Sequence, residues 1–156
     1  MKLRRLYLDL DGVMADFDTH FFNEFGIYQE RMSEDRKWDL IKNCNSWFLN
    51  IPLMKGAAEF FKYAVRNFEV IILTSCPKTM YEVAALEKRD WVYKHLGDVV
   101  VLPVWGGTNK RLFMHARGDI LVDDKEVNCM AWEEFGGRAI VHKDFTDTIY
   151  RLESMN

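Results

Sequence analysis

Short apolar runs alternate along the chain with longer amphipathic stretches, and the two classes differ in period. The segments Arg5–Leu10, Glu69–Thr74, Val99–Leu102, Asp119–Val122 and Arg138–Val141 are short and mostly rich in Leu, Ile and Val, which predicts β-strands. Between them, Ala57–Arg66, Thr79–His95 and Glu126–Phe135 carry apolar residues at helical spacing. Strands separated by helices need crossover connections, so the expected fold is α/β, a Rossmann-like parallel sheet with helices on both faces. Residues 17–52 break the alternation: Phe17, Phe21, Phe22, Phe25, Tyr28, Trp38, Trp47 and Phe48 are mixed there with charge. This stretch lies between the first strand and a turn at Pro52–Gly56, so it leaves the sheet and returns. It predicts a small helical cap above the carboxyl edge, most of whose aromatics pack cap against core.

Composition narrows the class. With 156 residues, 49% of them hydrophobic, the chain can bury one sizeable core, and residues 1–156 read as a single domain carrying the cap as an insertion. A net charge of -3 argues against phosphate neutralisation along a nucleic-acid polymer. Lys2, Arg4 and Arg5 read as the solvated flank of a strand, whereas one small phosphate needs only a few local cations. Cys44, Cys76 and Cys129 have no metal-type spacing and read as ordinary thiols of a reducing compartment. The first residues enter a strand directly, and no apolar run approaches a membrane span, so the expectation is a cytoplasmic protein without a membrane partner. His20, His95, His115 and His142 show no ligand spacing and read as surface or helix-end residues.

In parallel sheets ligands bind beyond the carboxyl ends of the strands, so the residues that follow each strand are read as a set. Asp9 and Asp11 end the first strand, and Gly12 breaks it. Residues i and i+2 of a strand share a face, so the two carboxylates are expected together, with a cation between them. An all-oxygen site of that kind suits Mg²⁺. The second strand ends in Thr74-Ser75 and the fourth in Asp123-Asp124, while Lys110 precedes the fourth, in or near a helix after Gly106-Gly107. Neighbouring strand residues face opposite ways, so one of Asp123 and Asp124 should ligate and the other orient it, and spacing leaves open which. Asp16 and Asp18 read as residues of the cap-helix N-terminus, where the dipole favours acid.

Taken in order, Asp9-x-Asp11-Gly12, Thr74-Ser75, Lys110 and Asp123-Asp124 resemble the haloacid dehalogenase superfamily, and within it the 5'(3')-deoxyribonucleotidases. The segment from Asp9 to Phe17 is similar to that family's opening motif. Trp47-Phe48 with Pro52-Leu53-Met54-Lys55-Gly56-Ala57 is similar to its return from cap to core. Cys76 before Pro77, and Lys125 after the Asp pair, depart from the family pattern. The resemblance implies a Mg²⁺-dependent phosphatase of deoxyribonucleoside monophosphates. Asp9 would be the nucleophile that forms an aspartyl-phosphate, and Asp11 the acid and base. The metal would be held by Asp9, the backbone carbonyl of Asp11 and Asp124, with Asp123 orienting. Thr74, Ser75, Lys78 and Lys110 would contact phosphate, and Phe17, with Trp38 as cap partner, would lie beside the base. With Asp9 as nucleophile, Cys76 is left a structural role.

Two readings stay open beside this one: a phosphatase of another small phosphometabolite such as a sugar phosphate, or a phosphate-binding module that kept the fold without the chemistry. An exposed aromatic cap would also suit a homodimer.

Overall fold

The computed structural model describes residues 2–155. Its sheet is wholly parallel. The first strand, β1 (Arg5–Leu8), lies at the centre between β2 (Glu69–Cys76) and β4 (Ile120–Asp123), with β3 (Val100–Trp105) and β5 (Arg138–Val141) at the edges, giving the order β3-β2-β1-β4-β5. The strand order reverses direction between β1 and β4, so a crevice opens beyond their carboxyl ends.

Alternation along β1 sorts the core into two layers. Leu6 and Leu8 face one side together with Ile72, Ile120, Val122 and Ile140, where α3 (Ala57–Asn67), α4 (Tyr81–Leu96) and α6 (Phe145–Ser154) cover them. Tyr7 faces the other with Leu73, Leu121 and Trp132, under α5 (Glu126–Glu134) and a 3-10 segment over Gly107–Phe113. Residues 17–52 hold α1 (Phe17–Phe25), a 3-10 turn over Gln29–Arg31, and α2 (Glu34–Ile41). Their two stems are clamped together: Asp16 N donates to the Pro52 carbonyl and Met54 N to that of Met14.

Three expectations shift. The first strand stops at Leu8 rather than Leu10, because the Leu10 carbonyl accepts from the amides of Val13, Met14 and Ala15 in a tight turn. Gly12 takes φ +82° there, a conformation open to glycine. The second strand runs on to Cys76 through pairing with β3, so Thr74 and Ser75 are ladder residues. His142 is buried, not superficial: its Nδ1 lies 2.8 Å from Thr148 Oγ1, and burial lowers its pKa. One helix lay outside the expected set, α6, whose Phe145, Ile149 and Leu152 stand at i, i+4 and i+7 behind Asp144 as N-cap. Among the described residues, no helix is long and apolar enough to cross a membrane.

Candidate active site

Asp9 follows β1 directly. Its amide still donates to the Val122 carbonyl, so the side chain is aimed by the sheet itself. Asp123 closes β4 and Asp124 follows it, and one oxygen from each of Asp9, Asp123 and Asp124 lies within 4.8 Å of the others. Lys110 stands among them, donating to Asp9 Oδ1 at 2.8 Å and to Asp123 Oδ2 at 2.6 Å, and it is itself 1% exposed. Burial works against its charge, but the two carboxylates outweigh it and hold the ammonium above the ordinary lysine range. Burial and the neighbouring Asp123 push Asp9 well above the usual carboxylate pKa, and the same two causes raise Asp124. Three carboxylates against one ammonium leave two negative charges, the complement of a divalent cation.

The carboxylates divide their work. Both oxygens of Asp123 are taken: Oδ1 accepts from the Lys125 amide and Asn128 Nδ2, and Oδ2 from Lys110 and Asn128. Asp124 Oδ1 is buried with no hydrogen-bond partner, an orphaned oxygen that a cation would satisfy. Asp124 also lies so close to Gly12 that a methyl group there would overlap its carboxylate. The turn and the metal-type cluster are therefore fitted to one another.

Asp11 is not part of that cluster. β1 ends at Leu8, before either residue, and the Asp11 carboxylate is not among the three that converge. Asp11 Oδ2 instead accepts from Lys88 at 2.8 Å, and Lys88 also donates to Thr74 Oγ1 at 3.1 Å and the Ser75 carbonyl at 2.8 Å. Each aspartate has its own lysine.

Above these groups is a cavity of about 640 Å³, within the range of small-molecule sites. Asp9, Asp11, Ser75, Lys78, Asp124 and Asn128 line its lower wall, and Phe17, Gln29, Glu34, Lys37 and Trp38 its cap wall. Thr74 and Lys110 do not line it. Thr74 is fully buried with its hydroxyl on Lys88, and Lys110 lies beneath Asp9. Lys78 is exposed at the rim. Phe17 is 4% exposed and packed against Trp47, Phe21 and Trp38, which leaves Trp38 the more open ring. Asp16 caps α1 by accepting from the Thr19 amide, and Asp18 pairs with Gln29. Cys76 and Cys129 are buried, and burial together with Asp123 pushes Cys129 up to about 12.

Reading the sequence alone missed Lys88 and Asn128. The signal was there in the helical period. Ala84, Lys88, Trp91 and Val92 share the buried stripe of α4, and Asn128, Ala131 and Trp132 that of α5. A charged or amide residue on a core stripe needs a buried partner.

No family model matches the chain. In sequence it is similar to a protein of Acanthamoeba polyphaga mimivirus provisionally named as a 5'(3')-deoxyribonucleotidase, 30% identical over 78% of this chain and 63% of that protein. The chain thus spans less than two thirds of that relative's length. A provisionally named 5'(3')-deoxyribonucleotidase of Bordetella pertussis is 27% identical over 91% of this chain and 87% of that one. In fold it is similar to a hydrolase of Streptococcus pneumoniae, with a TM-score of 0.57, 14% identity, and coverage of 98% of this chain and 100% of that one. A Bacillus subtilis protein described as a HAD-hydrolase, solved with magnesium bound, matches with a TM-score of 0.55 and 11% identity over 89% of this chain and 86% of that one.

Proposed function

We propose, for a chain that belongs to the haloacid dehalogenase superfamily and is similar to its 5'(3')-deoxyribonucleotidases, that it hydrolyses deoxyribonucleoside monophosphates to nucleoside and inorganic phosphate. One observation carries this reading. Asp9 sits in a three-carboxylate cluster with a buried lysine, while Asp11 is held apart by a second lysine at the same cavity.

The steps follow from that separation. Asp9 attacks phosphorus, forming an Asp9–phosphorus bond as the ester oxygen leaves. Asp11 gives its proton to that departing oxygen, then as a carboxylate takes a proton from the water that cleaves the aspartyl-phosphate. Lys88, donating to Asp11, keeps this carboxyl pointed at the leaving group and away from the cluster. Lys110 holds Asp9 in line and balances part of the surrounding negative charge. Ser75, on the cavity wall, and Lys78, at its rim, receive phosphate oxygens, whereas Thr74 serves through Lys88. Asp9 and Asp124 are the side chains that would hold Mg²⁺, with the Asp11 backbone carbonyl, and Asp123 would orient them; the ion supplies positive charge against the phosphoryl oxygens. The magnesium-bound fold relative and the partnerless Asp124 oxygen support that choice. The mixed aromatic and polar cap wall favours a nucleoside over a bare sugar as the leaving group.

Phosphate release from 5' and 3' ribo- and deoxyribonucleotides and from sugar phosphates tests this reading. Deoxynucleotides should turn over fastest, chelation should abolish turnover, and added Mg²⁺ should restore it. Greater turnover of sugar phosphates would keep the chemistry and replace the substrate.

A further inference from the structure

The cap wall contains a charged group that phosphoryl transfer does not use. Lys37, on α2, is 7% exposed and lines the cavity. Its ammonium lies 4.6 Å from the Trp38 ring centroid and 5.9 Å from that of Phe17. It donates to Glu34 Oε1 at 2.7 Å and to Gln29 Oε1 at 3.3 Å. Both partners are themselves fixed, Glu34 by Trp38 Nε1 at 3.1 Å and Gln29 by Asp18 on α1. One chain of hydrogen bonds thus joins α1, the 3-10 turn and α2, and it holds the ammonium beside the aromatic rings. An ammonium has three protons, and the third has no acceptor among the described residues.

We infer that Lys37 is a specificity residue, donating a hydrogen bond to a neutral acceptor on the edge of the substrate's base, such as a ring carbonyl. This rests on the nucleotide reading above. A neutral acceptor, not a second phosphate, fits the wall: Asp18, Glu34 and Asp35 line the same side and outnumber the one cation, so an anionic leaving group is repelled there. The engaged partners also matter. With both Glu34 oxygens and the Gln29 carbonyl already paired, the Lys37 proton is the donor left to a ligand seated against Trp38. A base that fails to accept it leaves a buried charged donor unsatisfied, which is the basis of selection.

The test compares kcat/KM for thymidine 5'-monophosphate with that for its apolar isostere, the 2,4-difluorotoluene deoxynucleotide, which keeps the shape and lacks strong acceptors. The wild type should prefer the natural nucleotide by about 10- to 100-fold, the range for a hydrogen bond to a charged group. In Lys37→Met and in Lys37→Leu, which have no donor, that ratio should fall toward one, whatever the absolute rate of each variant. A wild-type ratio near one overturns the inference, and so does a preference that survives both substitutions. The wild-type ratio is read without any variant, so the claim remains refutable where a substitution prevents folding. Absence of turnover with both nucleotides in the wild type would overturn the nucleotide reading itself. Equal turnover of the two would overturn only the role of Lys37.

Discussion

Asp9 and Asp11 stand two positions apart and answer to different lysines, one beneath the sheet end and one from α4. Like charges at that spacing would oppose ionisation of one another, and here each carboxylate has its own ammonium partner. Removing the second lysine should therefore cost both stability and a particular part of the chemistry. Lys88→Met leaves Asp11 without its partner and should lower unfolding free energy by about 3 kcal/mol, as for a broken, mostly buried ion pair. It should also slow nucleotide hydrolysis far more than p-nitrophenyl phosphate hydrolysis, because nitrophenolate leaves without protonation. Equal losses on both substrates, in urea-checked folded protein, would argue that Lys88 serves only structure. Asp9, Asp123 and Asp124 were legible in the sequence because their place follows from strand ends alone. Lys88 was not, since its partner lies 77 positions away and only the packing of α4 brings the two together.

Element by element, α4 ties the cap to the core. Glu87 accepts from the Phe48 amide at 3.0 Å, Trp91 Nε1 donates to the Ile51 carbonyl at 2.7 Å, and Lys88 between them reaches Asp11. The same helix thus fixes the returning cap stem and the Asp11 carboxylate. At the other end of the chain α6 is docked through Thr148, which meets the buried His142, with the Phe145 ring 4.8 Å away. Burial lowers the His142 pKa against the opposing pull of Asp144 and Asp147. A histidine held neutral in the folded state contributes fully above its unfolded pKa, 6.5, and loses that contribution as the pH falls through it. Urea unfolding from pH 7.5 to 5.5, a range chosen about that value, should accordingly show a steeper loss for the wild type than for His142→Gln. Parallel losses would contradict this account of the α6 contact. The hydrophobic period located five strands and three of the helices. It did not fix where they end, because Leu10 is drawn into a turn and β2 is prolonged by pairing with β3. In α6 the apolar spacing was present but mixed with Thr148, a polar residue buried against His142.

For the whole molecule, the order β3-β2-β1-β4-β5 places the ends of β1 and β4 side by side at the reversal of the sheet. That topology alone converts two distant acidic motifs into one charge cluster, and the insertion after β1 roofs it with the cap. The parallel α/β fold and the set of strand-end residues could be read from the chain. The cap wall could not, because Lys37, Gln29 and Glu34 become a network only when three short elements fold over the site. The proposed mechanism requires Asp9 to carry the phosphoryl group during turnover. Borohydride added during steady turnover of a deoxynucleotide with Mg²⁺ would reduce an aspartyl-phosphate to homoserine, which mass spectrometry of the peptide containing residue 9 can locate. Homoserine should form at that position, and only with substrate present. Continued turnover with Asp9 recovered unmodified would contradict that mechanism.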